Sequence, residues 1–236
     1  MSRFNKPHNG LLSPLILQGI TAGWPICLGY IPTGLALGLL SQKAGLTPTE
    51  IGLMSLFVFA GSSQFIAVSM ISSGAAPLAI IVTTFIINSR HLLMSSSLSV
   101  FFRNSGKAVL SLFAYGITDE SFAVNHSRFN EGNWGISQAL TVNHVSNLVW
   151  ILSTIAGSYG GQFVPAHAFG IDFALPAMFI CLLIFQIKGF AYMVTACIAG
   201  IAAVIFSLFI SGSSYVMTAS ILAAAIGAWF HHRSKQ

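Results

Sequence analysis

The residues able to do chemistry lie where charge is expensive. Asn88-Ser89-Arg90-His91 interrupts an apolar run from Ala75 to Phe102 and leaves Arg90 near the middle of it. In a bilayer a guanidinium at that depth costs roughly 2.5–3.5 kcal/mol and cannot easily snorkel to the headgroups, so Arg90 is expected to face a polar cavity. Asp119 and Glu120 are neighbours and point about 100° apart on a helix. One of them is expected to look into the cavity holding Arg90, and the other to cap or anchor its helix. Gln64 carries an amide that must find partners away from water, whereas Ser62 and Ser63 beside it are expected to bond back to their own backbone. Asn143 and Asn147, four residues apart, share a face with Ser146 and Trp150 nearby. One fixed cation, one or two carboxylates and several amides suit a small zwitterion. Arg90 or a half-helix N-terminus would hold its carboxylate; Asp119 or Glu120 with unwound carbonyls would hold its ammonium. Asp119, Glu120 and His91 are also the groups able to carry protons in a low-dielectric site.

The elements positioning these residues follow from composition. Hydrophobic residues make up 55% of the 236 and charged residues only 6%, with a mean hydropathy of +0.80. A soluble domain is roughly one-quarter charged, so this is an all-α, polytopic membrane protein built as a helical bundle. Apolar windows at 14–40, 51–73, 77–102, 108–124, 136–157, 172–187, 190–210 and 214–230 predict eight spans, with seven as the alternative count because 108–124 and 172–187 are short. Residues 1–236 are expected to form one membrane domain, with 1–13 and 231–236 as tails. With both termini inside, Arg3, Lys6, Arg128, Lys188, Arg233 and Lys235 fall on the cytoplasmic side, against Lys43, Arg103 and Lys107 outside.

The first window holds Pro25 and Pro32. Each proline removes a backbone donor, so a broken first helix is expected, with Tyr30 between the prolines facing the site. The glycine pairs Gly19/Gly23 and Gly34/Gly38 mark faces for close helix approach. Asp172, just before Phe173-Ala174-Leu175-Pro176, reads as a helix N-cap. A faint internal echo links Ser55-Leu56-Phe57 and Phe65 to Ser111-Leu112-Phe113 and Phe122, each pair flanking a polar break.

Several classes are excluded. The net charge of +5 is spread between the two ends without a basic cluster, which fits a positive-inside bias and not a nucleic-acid partner. Cys27, Cys181 and Cys197 are isolated and are expected to be small buried hydrophobes, with no disulfide or metal site. His91, His126 and His144 lack metalloprotease spacing, no serine sits in a nucleophile elbow, and no phosphate loop is present, so neither an enzyme nor direct ATP coupling is expected. No cofactor is called for.

Taken in order, Tyr30-Ile31-Pro32-Thr33-Gly34, Ala60-Gly61-Ser62-Ser63-Gln64-Phe65, Asn88-Ser89-Arg90-His91, Thr118-Asp119-Glu120-Ser121-Phe122 and Asp172-Phe173-Ala174-Leu175-Pro176 resemble the AzlC family, large subunits of branched-chain amino acid exporters. The resemblance covers most of the chain. Its motifs map onto Pro32, Gly34, Gly61, Gln64, Arg90, His91, Asp119, Glu120, Asp172 and Phe173. It implies export of leucine, isoleucine, valine and methionine across a bacterial inner membrane, with a small AzlD-type membrane subunit as partner. Proton coupling is the expected drive. A permease for another small solute and a non-transporting assembly or regulatory subunit are the competing readings.

Overall fold

In a computed structural model of the chain, the described residues are 14–102, 105–161 and 190–209, together with 163, 180, 183, 184, 187, 219, 222, 223 and 225–227. Helix is the only regular structure among them. The chain divides at Ala174–Leu175 into two units.

The first unit opens with α1 (Pro14–Lys43), followed by α2 (Pro48–Val58), α3 (Gly61–Ser72), α4 (Pro77–Ser99) with a 3-10 turn at Val100–Phe102, α5 (Lys107–Tyr115), α6 (Asp119–Asn130) and α7 (Ile136–Gly160). Among the described residues, three stretches are long and apolar enough to cross a membrane: Pro14–Lys43, Pro77–Phe102 and Ile136–Gly160. The windows expected at 51–73 and 108–124 are each interrupted, giving α2 with α3 and α5 with α6. In the second unit, α8 (Phe190–Ser207) lies within the window expected at 190–210. The windows at 172–187 and 214–230 fall largely outside the described residues, as do Asp172 and Phe173.

Local signals account for several boundaries. Thr47 caps α2 while Glu50 returns a bond to the Thr47 N–H at 2.8 Å, and Pro48 takes the first turn, where its missing donor costs nothing. Pro77 plays the same part in α4. The spine of the unit is α1 against α7. Gly19 meets Gln138 and Thr141, and Gly38 meets Thr154 and Ser158, so the two helices run parallel. A β-carbon at Gly38 would overlap the Thr154 carbonyl oxygen, and one at Gly157 would overlap that of Leu35. Backbones this close need glycine because there is no room for even a methyl group.

The prolines correct one expectation. α1 continues through Pro25 and Pro32, and both lie exposed on its outer face with Leu28 and Leu35. Each proline costs one backbone hydrogen bond, to the carbonyl four residues earlier, and here that loss falls on the exposed side of α1. The breaks occur instead at Phe59–Ala60 and at Gly116-Ile117-Thr118. Phe59 holds φ 26° and ψ 57°, a left-handed conformation that bulky residues rarely adopt. Around the second break, Phe102, Phe113 and Phe129 pack with Leu98 and Ile117, the Phe102 ring lying 4.5 Å from Phe113 and 5.1 Å from Phe129. That cluster clamps the end of α4 to α5 and α6. A smaller correction concerns Cys197, which is exposed on α8 where burial was expected; Cys27 is buried.

Candidate functional site

The two helix breaks face each other across Tyr30 and Arg90. From the buried face of α1, the Tyr30 ring packs edge-on against Phe59 at the first break and Trp150 of α7, with centroids 6.4 and 5.1 Å away. Its hydroxyl reaches the second break, 2.8 Å from Thr118 Oγ1 and 2.8 Å from Glu120 Oε2. From α4, Arg90 spans both: Nη1 is 2.9 Å from Asp119 Oδ2, and Nη2 donates to Ser62 Oγ at 2.5 Å. Next to it, His91 Nδ1 is 2.9 Å from the Ile117 carbonyl oxygen, a group released by the break in α5 and α6. Tyr115, the last residue of α5, donates its hydroxyl to the Leu56 carbonyl in the last turn of α2. Each break thus supplies acceptors that the other half of the unit satisfies, which unwound backbone in an apolar setting demands.

The helix starts differ in charge. α3 begins at Ala60, which offers no side-chain cap, so its first N–H groups carry the positive end of the helix dipole in the turn that holds Ser62, the acceptor of the Arg90 guanidinium. α6 begins at Thr118 with a reciprocal cap: Ser121 N–H donates to Thr118 Oγ1 at 3.3 Å, and Thr118 N–H donates to Ser121 Oγ at 2.9 Å. Asp119 and Glu120 occupy its first turn, where negative charge is favoured. Arg90 and Asp119 keep 33% and 25% of their side-chain surface exposed, so the pair is open along one edge. Asn88 Oδ1, Arg90 Nε and His91 Nε2 are buried and have no hydrogen-bond partner among the described residues. Buried polar atoms are normally paired, and these three can meet a polar ligand.

The expected site residues therefore divide. Tyr30, Arg90, His91, Asp119 and Glu120 come together around the second break, and Asn88 stands on α4 one turn before His91. The Gln64 amide is bonded elsewhere than to Arg90: it accepts from Trp150 Nε1 at 2.9 Å and donates to Ser55 Oγ at 3.1 Å, which in turn lies 2.9 Å from Thr154 Oγ1. It straps α2, α3 and α7 together and positions α3 without lining the ion pair. Gly61 packs beneath the Trp150 ring, and Gly34 packs against Ser153. Pro32 faces outward. Asn143 donates to the Phe113 carbonyl at 3.1 Å and accepts from Asn125 at 3.0 Å, bracing the second break from behind. Asn147 reaches the Tyr115 hydroxyl at 3.5 Å, and the His144 ring stacks near Tyr115 at 6.4 Å.

Sequence reasoning passed over Ser62, Thr118 and Tyr115. Ser63 does bond back, to the Ala60 carbonyl, but Ser62 takes the Arg90 guanidinium. Thr118 had a usable signal in its capping spacing to Ser121, and Tyr115 stands in the internal echo where Phe59 stands in the first copy.

These features define an all-α membrane protein with two interrupted helices around a partly buried ion pair. The chain belongs to the AzlC protein family, whose match spans residues 25–164. It is 30% identical to the inner membrane protein YgaZ of Escherichia coli over 80% of this chain and 80% of that one. It is also 30% identical to the branched-chain amino acid transport protein AzlC of Bacillus subtilis, over 69% of this chain and 64% of that relative. An uncharacterized membrane protein of Archaeoglobus fulgidus is 26% identical over 94% of this chain and 98% of its own. No solved structure matches.

Proposed function

We propose that this chain is the large subunit of a secondary exporter of branched-chain amino acids, with methionine as a further substrate. It works in the bacterial inner membrane with a small AzlD-type membrane subunit and is driven by the proton gradient. The observation carrying this reading is Arg90, held between an uncapped helix start and Asp119 with its Nε unpartnered. A carboxylate arriving between Arg90 and the first turn of α3 would meet a guanidinium, the Ser62 hydroxyl and free N–H groups. The ammonium of the same molecule would lie toward Asp119 and Glu120. Phe59, Tyr30 and Trp150 supply an aromatic wall for an apolar side chain. The name of the Bacillus subtilis relative supports the choice of branched-chain substrates.

The test is accumulation. A strain lacking this gene and that of the small partner, fed leucine- or isoleucine-containing dipeptides, should retain the freed amino acid inside. Restoring both genes should release it. Unchanged internal leucine and isoleucine in the deletion strain would sink the assignment.

A further inference from the structure

The Tyr30 hydroxyl has one hydrogen yet lies 2.8 Å from each of two oxygens, Thr118 Oγ1 and Glu120 Oε2. Two arrangements use both contacts and run the hydroxyl chain in opposite directions. With Glu120 ionised, Tyr30 donates to the carboxylate and the Thr118 hydroxyl donates to the Tyr30 oxygen. With Glu120 protonated on Oε2, the carboxylic acid donates to the Tyr30 oxygen, and Tyr30 donates to Thr118 Oγ1. That oxygen then accepts from both Tyr30 and the Ser121 N–H, and the threonine hydrogen must find another acceptor.

We infer that Glu120 carries the proton in this site and that Tyr30 and Thr118 form a reversible hydroxyl relay reporting its protonation to the cap of α6. The inference rests on the proton-driven reading above. One proton is gained or lost at Glu120, while those of Tyr30 and Thr118 only rotate about their C–O bonds, so no further acid or base is needed. The relay ends on Thr118, the residue that terminates the second helix break, so a change at Glu120 reaches the junction between α5 and α6 directly.

The neighbours favour Glu120 over its rivals. Asp119 is held by Arg90 of α4, and a proton there would strip the guanidinium of its counter-ion. His91 of α4 lies beside the Arg90 charge and has Nδ1 committed to the Ile117 carbonyl. Tyr30 of α1 faces Glu120 directly. From α7 the titratable group is His144, which lies against Tyr115 of α5. Glu120 alone has a partner that is neutral and both donates and accepts, so both of its protonation states keep a hydrogen bond.

The chain has only five acidic residues, which makes the proton visible by infrared spectroscopy. The purified full chain is titrated from pH 9 to pH 4, and the carboxylic C=O bands that appear are compared among variants. Glu120→Gln should remove one band that Asp119→Asn retains. Tyr30→Phe, which keeps the ring against Phe59 and Trp150, should shift that same band in frequency, and Thr118→Ala should shift it less. In inverted vesicles holding the chain and its small partner, an imposed pH gradient should drive leucine accumulation at least tenfold less in Glu120→Gln than in the unaltered protein. Persistence of all bands in Glu120→Gln, an unmoved band in Tyr30→Phe, or undiminished gradient-driven accumulation in Glu120→Gln overturns the relay. Unaltered vesicles that move no leucine overturn the transport reading instead, and the infrared bands still decide the relay.

Discussion

α3 starts at Ala60, whose methyl group cannot accept a hydrogen bond, while α6 starts at Thr118, whose hydroxyl closes a reciprocal cap with Ser121. The two starts follow echoing sequence, Ser55-Leu56-Phe57 in one and Ser111-Leu112-Phe113 in the other, and both interrupt a window that composition alone would read as a single span. They differ in how their ends are finished. The first leaves its N–H groups without a side-chain cap beside Ser62; the second pairs the Thr118 and Ser121 N–H groups internally and adds two carboxylates. The two starts thus present a pole that attracts negative charge and a pole that attracts positive charge. Arg90 and Tyr30 bridge the gap between them.

That contrast can be broken most severely at its bridge. Arg90→Ala leaves Asp119 without a counter-ion and Ser62 without its donor. Leucine efflux from dipeptide-loaded cells should fall at least about thirtyfold, with the variant still found in the membrane fraction; intact efflux would separate Arg90 from the function. Ala60→Asp addresses the donor pole alone. An acidic residue there caps α3 and places negative charge where the substrate carboxylate is proposed to sit. The half-saturating leucine concentration should rise about tenfold while the melting temperature of the solubilised protein holds or increases. A variant that loses both would point to a packing role for Ala60.

Thr118→Ala removes the opposite cap and should lower stability by about 1 kcal/mol, read as an earlier thermal unfolding transition. The mildest change is Tyr115→Phe. It deletes the hydroxyl that reaches the Leu56 carbonyl between the two breaks, worth about 1 kcal/mol or less where the freed carbonyl finds another donor. Hydrogen exchange in the last turn of α2 should quicken slightly; unchanged exchange would mean the breaks are held together by Tyr30 and Arg90 without it.

Much of this arrangement was legible in the chain. Hydropathy alone identifies α1, α4 and α7, because a helix that must face lipid has to be apolar along its length. The cost of charge in such segments singles out Arg90, Asp119 and Glu120. The glycines at Gly34 and Gly38 announce a close helix contact, which proves to be with α7.

Pairing was decided only in three dimensions. Sequence weighs a proline as a break, but whether its lost bond matters depends on which face it occupies, and Pro25 and Pro32 face away from α7. The breaks fall instead where distant partners, Tyr115, His91 and Asn143, stand ready to take the released carbonyls. Gln64 and Ser62 are two residues apart in one helix and equally polar on paper. Their roles parted because one points to Trp150 and the other to Arg90. Residue type and burial cost are local properties that a sequence states outright; a hydrogen bond needs a partner, and the partners around this site come from up to 99 residues away.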